Sequence, residues 1–485
     1  MSGFLRPVPL APLLHSVLLP AALVACASYE PRPLDLDGVS TEVAVRGATP
    51  GQLSDALQLA DLRALPFERP QIDAESVAYD HQTFWLASAL AFNGELRSAR
   101  RRWAEASARA RSGGAPMAAE LEVEQTGFDS ADRETWIALT FDVLGILDAG
   151  RAGAARELAE AEARTALADV ERAAWSARIA VDRARAGVGS SLATIEQLVE
   201  LLDSSKASVR RAELLFERGR LSEGELARLH EMVGEVSHQL HEQYRELARQ
   251  RRALADAAGL PPTTLALDFL TPATLADLFA RAELPRLPSG RELLERSPAL
   301  RRMRLEYAVA EAMLRDEVVR TRPGLRLGPA LDITSDDVLP GGVLVLDLPH
   351  ALALSGRVEA ARQARERVRE ETEEELRATL ARIEQARTEY ATARSALEEH
   401  AQPRASASSA AWRAALARFA VDPGAAEEIG MALRDSAMAL LDLAEVRQQV
   451  VRAWLDLEEE IGPEARALPG DEALSGDDAS PEVQP

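Results

Sequence analysis

Residues 325–356 read LRLGPALDITSDDVLPGGVLVLDLPHALALSG, the stretch least like the rest of the chain. Two short β-type runs, LRLGPALDIT and GGVLVLDL, flank SDDVLP, a turn-forming stretch of Asp and Pro. Leu325, Leu327, Leu331 and Ile333 form an intermittent apolar set, interrupted by Pro329. In the second run Gly341, Val343, Val345 and Asp347 fall on one face, and Leu344, Leu346 and Leu348 on the other. A hairpin by itself is not stable in water. It needs partner strands, and the chain offers one more candidate pair.

That pair lies upstream. In AELEVEQ, Leu121 and Val123 alternate with Glu120, Glu122 and Glu124. In TWIALTFDV, Ile137, Leu139, Phe141 and Val143 alternate with Trp136, Ala138, Thr140 and Asp142, and FDSADRE is the turn between the two runs. The expected strands are about 118–126, 135–143, 325–334 and 342–348. A strand whose polar face carries three glutamates suits a barrel with lipid outside and water inside.

The remainder reads as helix. Hydrophobic residues make up 47%, charged residues 28% and aromatics only 4% of 485 residues, and the net charge is −22. Abundant Ala, Leu, Glu and Arg fit long helices packed on helices. So acidic a chain disfavours nucleic acid or anionic membrane as a partner. Apolar residues at helical spacing from Ile72 to Arg111 predict a helix broken near Asn93-Gly94. Arg151 to Arg218 predicts continuous helix of roughly 100 Å, with Gly187 and Gly189 as weak points. GRLSEGEL is a turn with a capping-box spacing from Ser222 to Glu225. A return helix then runs to Ala258 and ends at Gly259, and the pair is coiled-coil-like.

The order then repeats after about two hundred residues, a duplicated domain in place of a solenoid. Gly94-Glu95-Leu96 matches Pro298-Ala299-Leu300, Ala115-Pro116 matches Arg322-Pro323, and Leu147 onward (LDAGRAGAAREL) matches Leu352 onward (LALSGRVEAARQ). Phe216 to Gly219 matches Phe419 to Asp422, and Gly259 matches Gly462. The expected units are a first repeat at 71–259, a linker at 260–297 and a second repeat at 298–462, whose helical hairpin starts at 356. Pro403 marks a kink or interruption in that hairpin. An N-terminal arm at 26–70 carries a short helix from Gln52 to Ala64, and 463–485 is an acidic, disordered tail.

The N-terminus sets the compartment. Arg6 precedes an apolar run, Leu13 to Ala25, shorter than the ~20 residues of a spanning helix and like a secretory signal peptide at 1–25. Leu23-Val24-Ala25-Cys26 resembles the lipobox of bacterial lipoproteins. That resemblance implies acylation of Cys26, the only cysteine, palmitate included. Ala27 in place of Asp implies the outer membrane. One cysteine excludes an intrachain disulfide.

From Ser297-Pro298-Ala299-Leu300 through Arg322-Pro323 and Val343 to Pro349, then Ser355-Gly356-Arg357, and again at Gly219-Arg220-Leu221-Ser222 with Glu225-Leu226, the ordered pair of repeats resembles the TolC-like outer-membrane efflux proteins. The resemblance spans roughly Ile72 to Gly462. It implies a homotrimer whose four strands per copy close a transmembrane, twelve-stranded β-barrel in outer-membrane lipid, continuous with a periplasmic α-helical barrel. It implies an exit duct for a tripartite efflux pump or type I secretion system, passively passing substrates from an inner-membrane transporter and a periplasmic adaptor (membrane fusion protein). Gly219, Arg220, Leu221 and Ser222, with Val421 and Asp422, would be the tips that meet the adaptor. Gly150, Pro349 and Gly356 would be elbows between barrel and helix. The second tip, Arg418 to Gly424, departs from the small-polar character of the first, and His350 replaces the usual aromatic or apolar residue.

No P-loop, GxSxG, HExxH or cysteine pair is present, so neither an enzyme nor a cofactor is expected. His238 and His241 stand at i, i+3, a spacing compatible with metal, but on a surface helix they read as ordinary histidines. The competing reading is a lipid-anchored periplasmic helical scaffold without a pore. It has no use for four apolar-faced strands at matched positions.

Overall fold

The computed structural model describes residues 34–46, 50–59, 65, 67, 82–112, 120–126, 134–142, 150–264, 267, 270–272, 278–279, 282–322, 324–334, 337–347 and 351–463. Residues 1–25, expected to be a signal peptide, Cys26, Pro349, His350 and residues 464–485 lie outside this set. Residues up to Val45 form a unit of their own. Its described element is α1 (Leu36–Ala44), capped by Asp35, whose carboxylate accepts the Gly38 N–H at 3.0 Å.

The second unit begins with α2 (Pro50–Leu59), α3 (Gln82–Phe92) and α4 (Gly94–Ser112). The break between α3 and α4 is a local cap. Asn93 accepts the Leu96 N–H through Oδ1 at 3.1 Å and donates its amide to the Ala257 carbonyl at 3.2 Å. Two strands follow, β1 (Glu120–Thr126) and β2 (Glu134–Asp142), then α5 (Gly150–Glu217) and α6 (Glu223–Ala258). After the short α7 (Gly290–Arg296) come α8 (Pro298–Arg320), β3 (Gly324–Ile333), β4 (Val338–Asp347), α9 (Ala351–Ala396), α10 (Gln402–Phe419) and α11 (Ala426–Ile461).

With 68 residues, α5 is about 100 Å long at 1.5 Å per residue, and it carries the packing of the unit. It lies against α4 and α8 over one part of its length and against α6 and α11 over another. Gly187 does not break it. A Cβ there would meet only the flexible end of the Gln250 side chain of α6. The apolar stripes meet in one continuous core in which Leu90, Leu96, Leu198, Leu229, Leu254 and Leu433 are fully inaccessible or nearly so. The linker packs on the second half, where the Tyr390 hydroxyl donates to the Ala282 carbonyl at 2.6 Å.

One contact occurs twice. Gly259 caps α6 with φ 69°, and a Cβ there would strike the Phe92–Asn93 backbone at the α3–α4 break. Gly462 ends α11 with φ 80°, against Arg296 and Pro298 at the α7–α8 break. Both positions combine a left-sided φ with a near backbone, which glycine alone accommodates.

Three local expectations change. Val338-Leu339-Pro340 belong to β4 and not to the turn. The turn is only Thr334 to Asp337, closed by the Thr334 N–H on the Asp337 carbonyl at 2.9 Å and the Asp337 N–H on the Thr334 hydroxyl at 3.1 Å. Gly356 is no elbow. It stands inside α9, whose helix begins at Ala351, because nothing in Ala351 to Ser355 interrupts helical geometry. At Pro403 the helix widens without stopping. Leu397–Ala401 is a π-turn in which the Gln402 N–H reaches back to the Leu397 carbonyl. That relieves the clash between the proline ring and the preceding turn.

Candidate functional site

The four strands form one antiparallel sheet in the order β1-β2-β3-β4, and its register decides what the alternation means. Leu121 faces Leu139, and Val123 faces Ile137. Ile137 in turn faces Leu331, and Phe141 faces Leu327. Leu327 faces Leu344, Leu325 faces Leu346, and Ile333 faces Val338. Directly opposed residues share a face. The apolar sets of all four strands therefore coincide on one side of the sheet.

That side is not covered by any of the described residues. Leu344 is 65% exposed, Val338 59%, Val123 58% and Leu346 53%. A contiguous bare apolar face of this kind marks an interaction with lipid or protein. The opposite face carries Glu122, Glu124, Trp136, Thr140, Arg326 and Asp332, together with Leu339, Val343 and Val345. The outer edges of β1 and β4 have no partner strand among the described residues, and unpaired edges are costly in lipid. Inside the sheet, the β2–β3 ladder lapses at Gly328-Pro329. A Cβ at Gly328 would run into the Leu139 carbonyl, and Pro329 has no N–H to donate.

The second candidate region is the pair of hairpin turns at the far ends of α5 and α10. Gly219 turns the chain with φ 66°. The Arg220 N–H reaches the Leu215 carbonyl at 2.8 Å. Ser222 then caps α6 with the expected reciprocal box: its N–H and hydroxyl donate to the Glu225 carboxylate at 2.9 and 2.6 Å. The hydroxyl and backbone bonds from Ser222 hold the Glu225 carboxyl below its ordinary pKa. Leu221 is buried beneath this turn and Arg220 is exposed. The second turn is built otherwise. Asp422 accepts the Gly424 N–H at 2.9 Å and opens the single 3-10 turn Pro423–Ala425, while Val421 stands 86% exposed.

The structure brings both turns together. Arg211, on α5, donates to the Ala420 carbonyl at 2.5 Å and places its guanidinium 5.8 Å from the Phe419 ring centroid. Arg228 pairs with Glu427 at 3.3 Å and Arg434 with Glu235 at 3.5 Å. Sequence reasoning had no sign of these ties, because their partners lie about two hundred positions apart. It also missed the buried charges along α5. Asp182 accepts the Gln82 amide at 2.9 Å beside Arg185, and Glu171 pairs with Arg301 at 2.8 Å. Charged residues on the Ala-rich stripe of α5 were the available signal. Pairs of this kind penalise misplaced helices more than they add stability.

Gly150 is the first residue of α5, and Pro349 lies outside the described residues. The His241 Nδ1–H donates to the Ser237 carbonyl of its own helix at 2.7 Å. Among the described residues no group of three potential ligands could hold a metal, and no helix is long and apolar enough to cross a membrane.

No family model matches the chain, and no curated protein does. Solved structures do match in shape. The outer-membrane channel OprN is 16% identical, with 83% of this chain and 96% of that chain covered at a TM-score of 0.65. A membrane protein from Pseudomonas aeruginosa is 15% identical, with 82% and 100% covered at 0.66. The Campylobacter jejuni CmeC outer membrane channel is 15% identical, with 86% and 94% covered at 0.63. The fold is that of the TolC-like outer-membrane channels.

Proposed function

We propose that this chain, built on the TolC-like fold, is an outer-membrane exit duct of a tripartite efflux pump or type I secretion system. The observation that carries the reading is the sheet: one bare apolar face, one charged face and two open edges. A membrane sheet must close on itself to satisfy its backbone. Three copies, with β4 of each paired to β1 of the next, close twelve strands with Leu327, Leu344 and Leu346 toward lipid and Glu122 and Glu124 toward water. The two halves of the chain, each with the same glycine-capped break, are then duplicated units supplying equal shares of the wall. The helices extend the duct into the periplasm, Cys26 bears the lipid anchor, and transport through the duct is passive, driven by an inner-membrane transporter.

The tips are the adaptor-facing surface in this reading. Gly219, Ser222 and Asp422 shape the two turns, Leu221 packs beneath the first, and Arg220 and Val421 present the contact. The Arg211 tie to Ala420 makes them one surface. The test has two readouts. Outer-membrane fractions should yield a heat-modifiable trimer, and the purified trimer should conduct ions across planar bilayers. A monomer without conductance would favour the lipid-anchored scaffold. Charge reversal at Arg220 should weaken co-purification with the adaptor, and unchanged recovery removes the tip assignment alone.

A further inference from the structure

One row of the charged sheet face combines an aromatic ring with two carboxylates. Trp136 on β2 lies directly opposite Glu124 of β1 on one side and Asp332 of β3 on the other. Directly opposed residues hold their Cβ atoms about 4.5–5.5 Å apart, so the indole stands between the two carboxylates on the same face. Glu124 is exposed, and Trp136 and Asp332 are half-buried, so all three are open to solvent. Arg326, the basic residue of this face among the described residues, stands six positions away along β3. The next row, Glu122 with Ala138 and Ala330, offers a carboxylate without a ring. A tryptophan serving only as filler has better places in this sheet, because the apolar face is the opposite one.

Carboxylates attract any cation, whereas an indole face favours those whose weakly hydrated charge is spread over an organic body. We infer that Glu124, Trp136 and Asp332 form a binding station for organic cations of the quaternary-ammonium class on the inner wall of the barrel. The row lies near the hairpin turns, since β2 starts at Glu134 and β3 ends at Ile333. A cation leaving through the duct would meet it last. The inference rests on the barrel reading above, which puts this face toward water.

The test uses the purified full-length protein in planar bilayers, with tetraethylammonium chloride added to each side in turn. Wild type should be blocked more strongly from one side, that of the hairpin turns. Trp136→Ala should raise the half-blocking concentration about three- to tenfold, with Trp136→Phe staying within about twofold of wild type. The double substitution Glu124→Gln with Asp332→Asn, which keeps the ring, should also weaken block, and carries the test if Trp136→Ala fails to assemble. Glu122→Gln, one row away, should not. Equal block in wild type, Trp136→Ala and the double variant overturns the station and leaves the duct standing. A wild-type protein that does not conduct overturns the duct, and the station with it.

Discussion

Leu254 of α6 is 0% exposed and Leu344 of β4 is 65% exposed, although each is a leucine on the apolar side of a regular element. In the helices the chain finds its own partners: α5 is long enough to receive stripes from α4, α6, α8 and α11. In the sheet the described residues supply one apolar face and nothing to cover it. The difference teaches where folding of one chain stops. The helices bury most of their apolar stripes against one another, whereas the apolar face of the sheet is uncovered among the described residues, as the proposed barrel requires.

Three substitutions break or sharpen that comparison. Leu254→Ala should cost about 2–5 kcal/mol through lost burial and a cavity, lowering the denaturation midpoint of the helices followed by circular dichroism. If that midpoint holds, the helical core is not self-sufficient. Leu344→Arg should cost about 2–4 kcal/mol if the site faces mid-bilayer, visible as loss of heat-modifiable trimer while the helical transition stays put. An Arg at Val421, 86% exposed at the tip, should leave the trimer intact, since surface changes away from special features stay within about 0.5 kcal/mol.

Gly259→Ala and Gly462→Ala probe the doubled contact between helix ends and helix breaks. Gly259→Ala adds a left-handed penalty of about 1–2 kcal/mol. Gly462→Ala, at φ 80° and ψ 175°, adds about 1–3 kcal/mol for a conformation essentially confined to glycine. Each also adds a backbone overlap, so urea midpoints should fall by similar amounts in both variants. A large loss in only one would show that the two halves are not built alike. The smallest effect belongs to the first tip. Ser222→Ala removes the hydroxyl bond that depresses the Glu225 carboxyl, so its pKa should rise toward the ordinary value, as read by carboxyl-carbon NMR. A depressed acid contributes stability above its unfolded pKa and loses it as pH falls through the folded value. Wild type should therefore lose amide protection at the start of α6 on acidification, and Ser222→Ala should show less of that dependence.

Much of the local structure could be read in the residues. Strict alternation in TWIALTFD marked β2, and Gly259 marked the end of α6. The reciprocal Ser222–Glu225 box followed from a spacing of three. The errors came where one residue type has two uses. Pro340 reads as a turn former yet sits in β4 opposite Leu331. Gly356 reads as a breaker yet is tolerated within α9, at a cost of only about 1 kcal/mol. At the tips, the positions of the turns were legible, but Arg211 and its hold on Ala420 were not.

By itself, the sequence determined which segments are strand or helix and which residues of each strand share a face, because period and capping are local properties. It left the faces of different strands unrelated. Whether Ile137 lies beside Leu331 depends on pairing β2 with β3, nearly two hundred residues apart, and a slip of one residue would have put Glu122 and Glu124 among the leucines. Only the tertiary structure decides that register, through the long helices that return the chain from α5 to β3. In doing so it turns four alternating strands into one sheet with an apolar face and a more polar one.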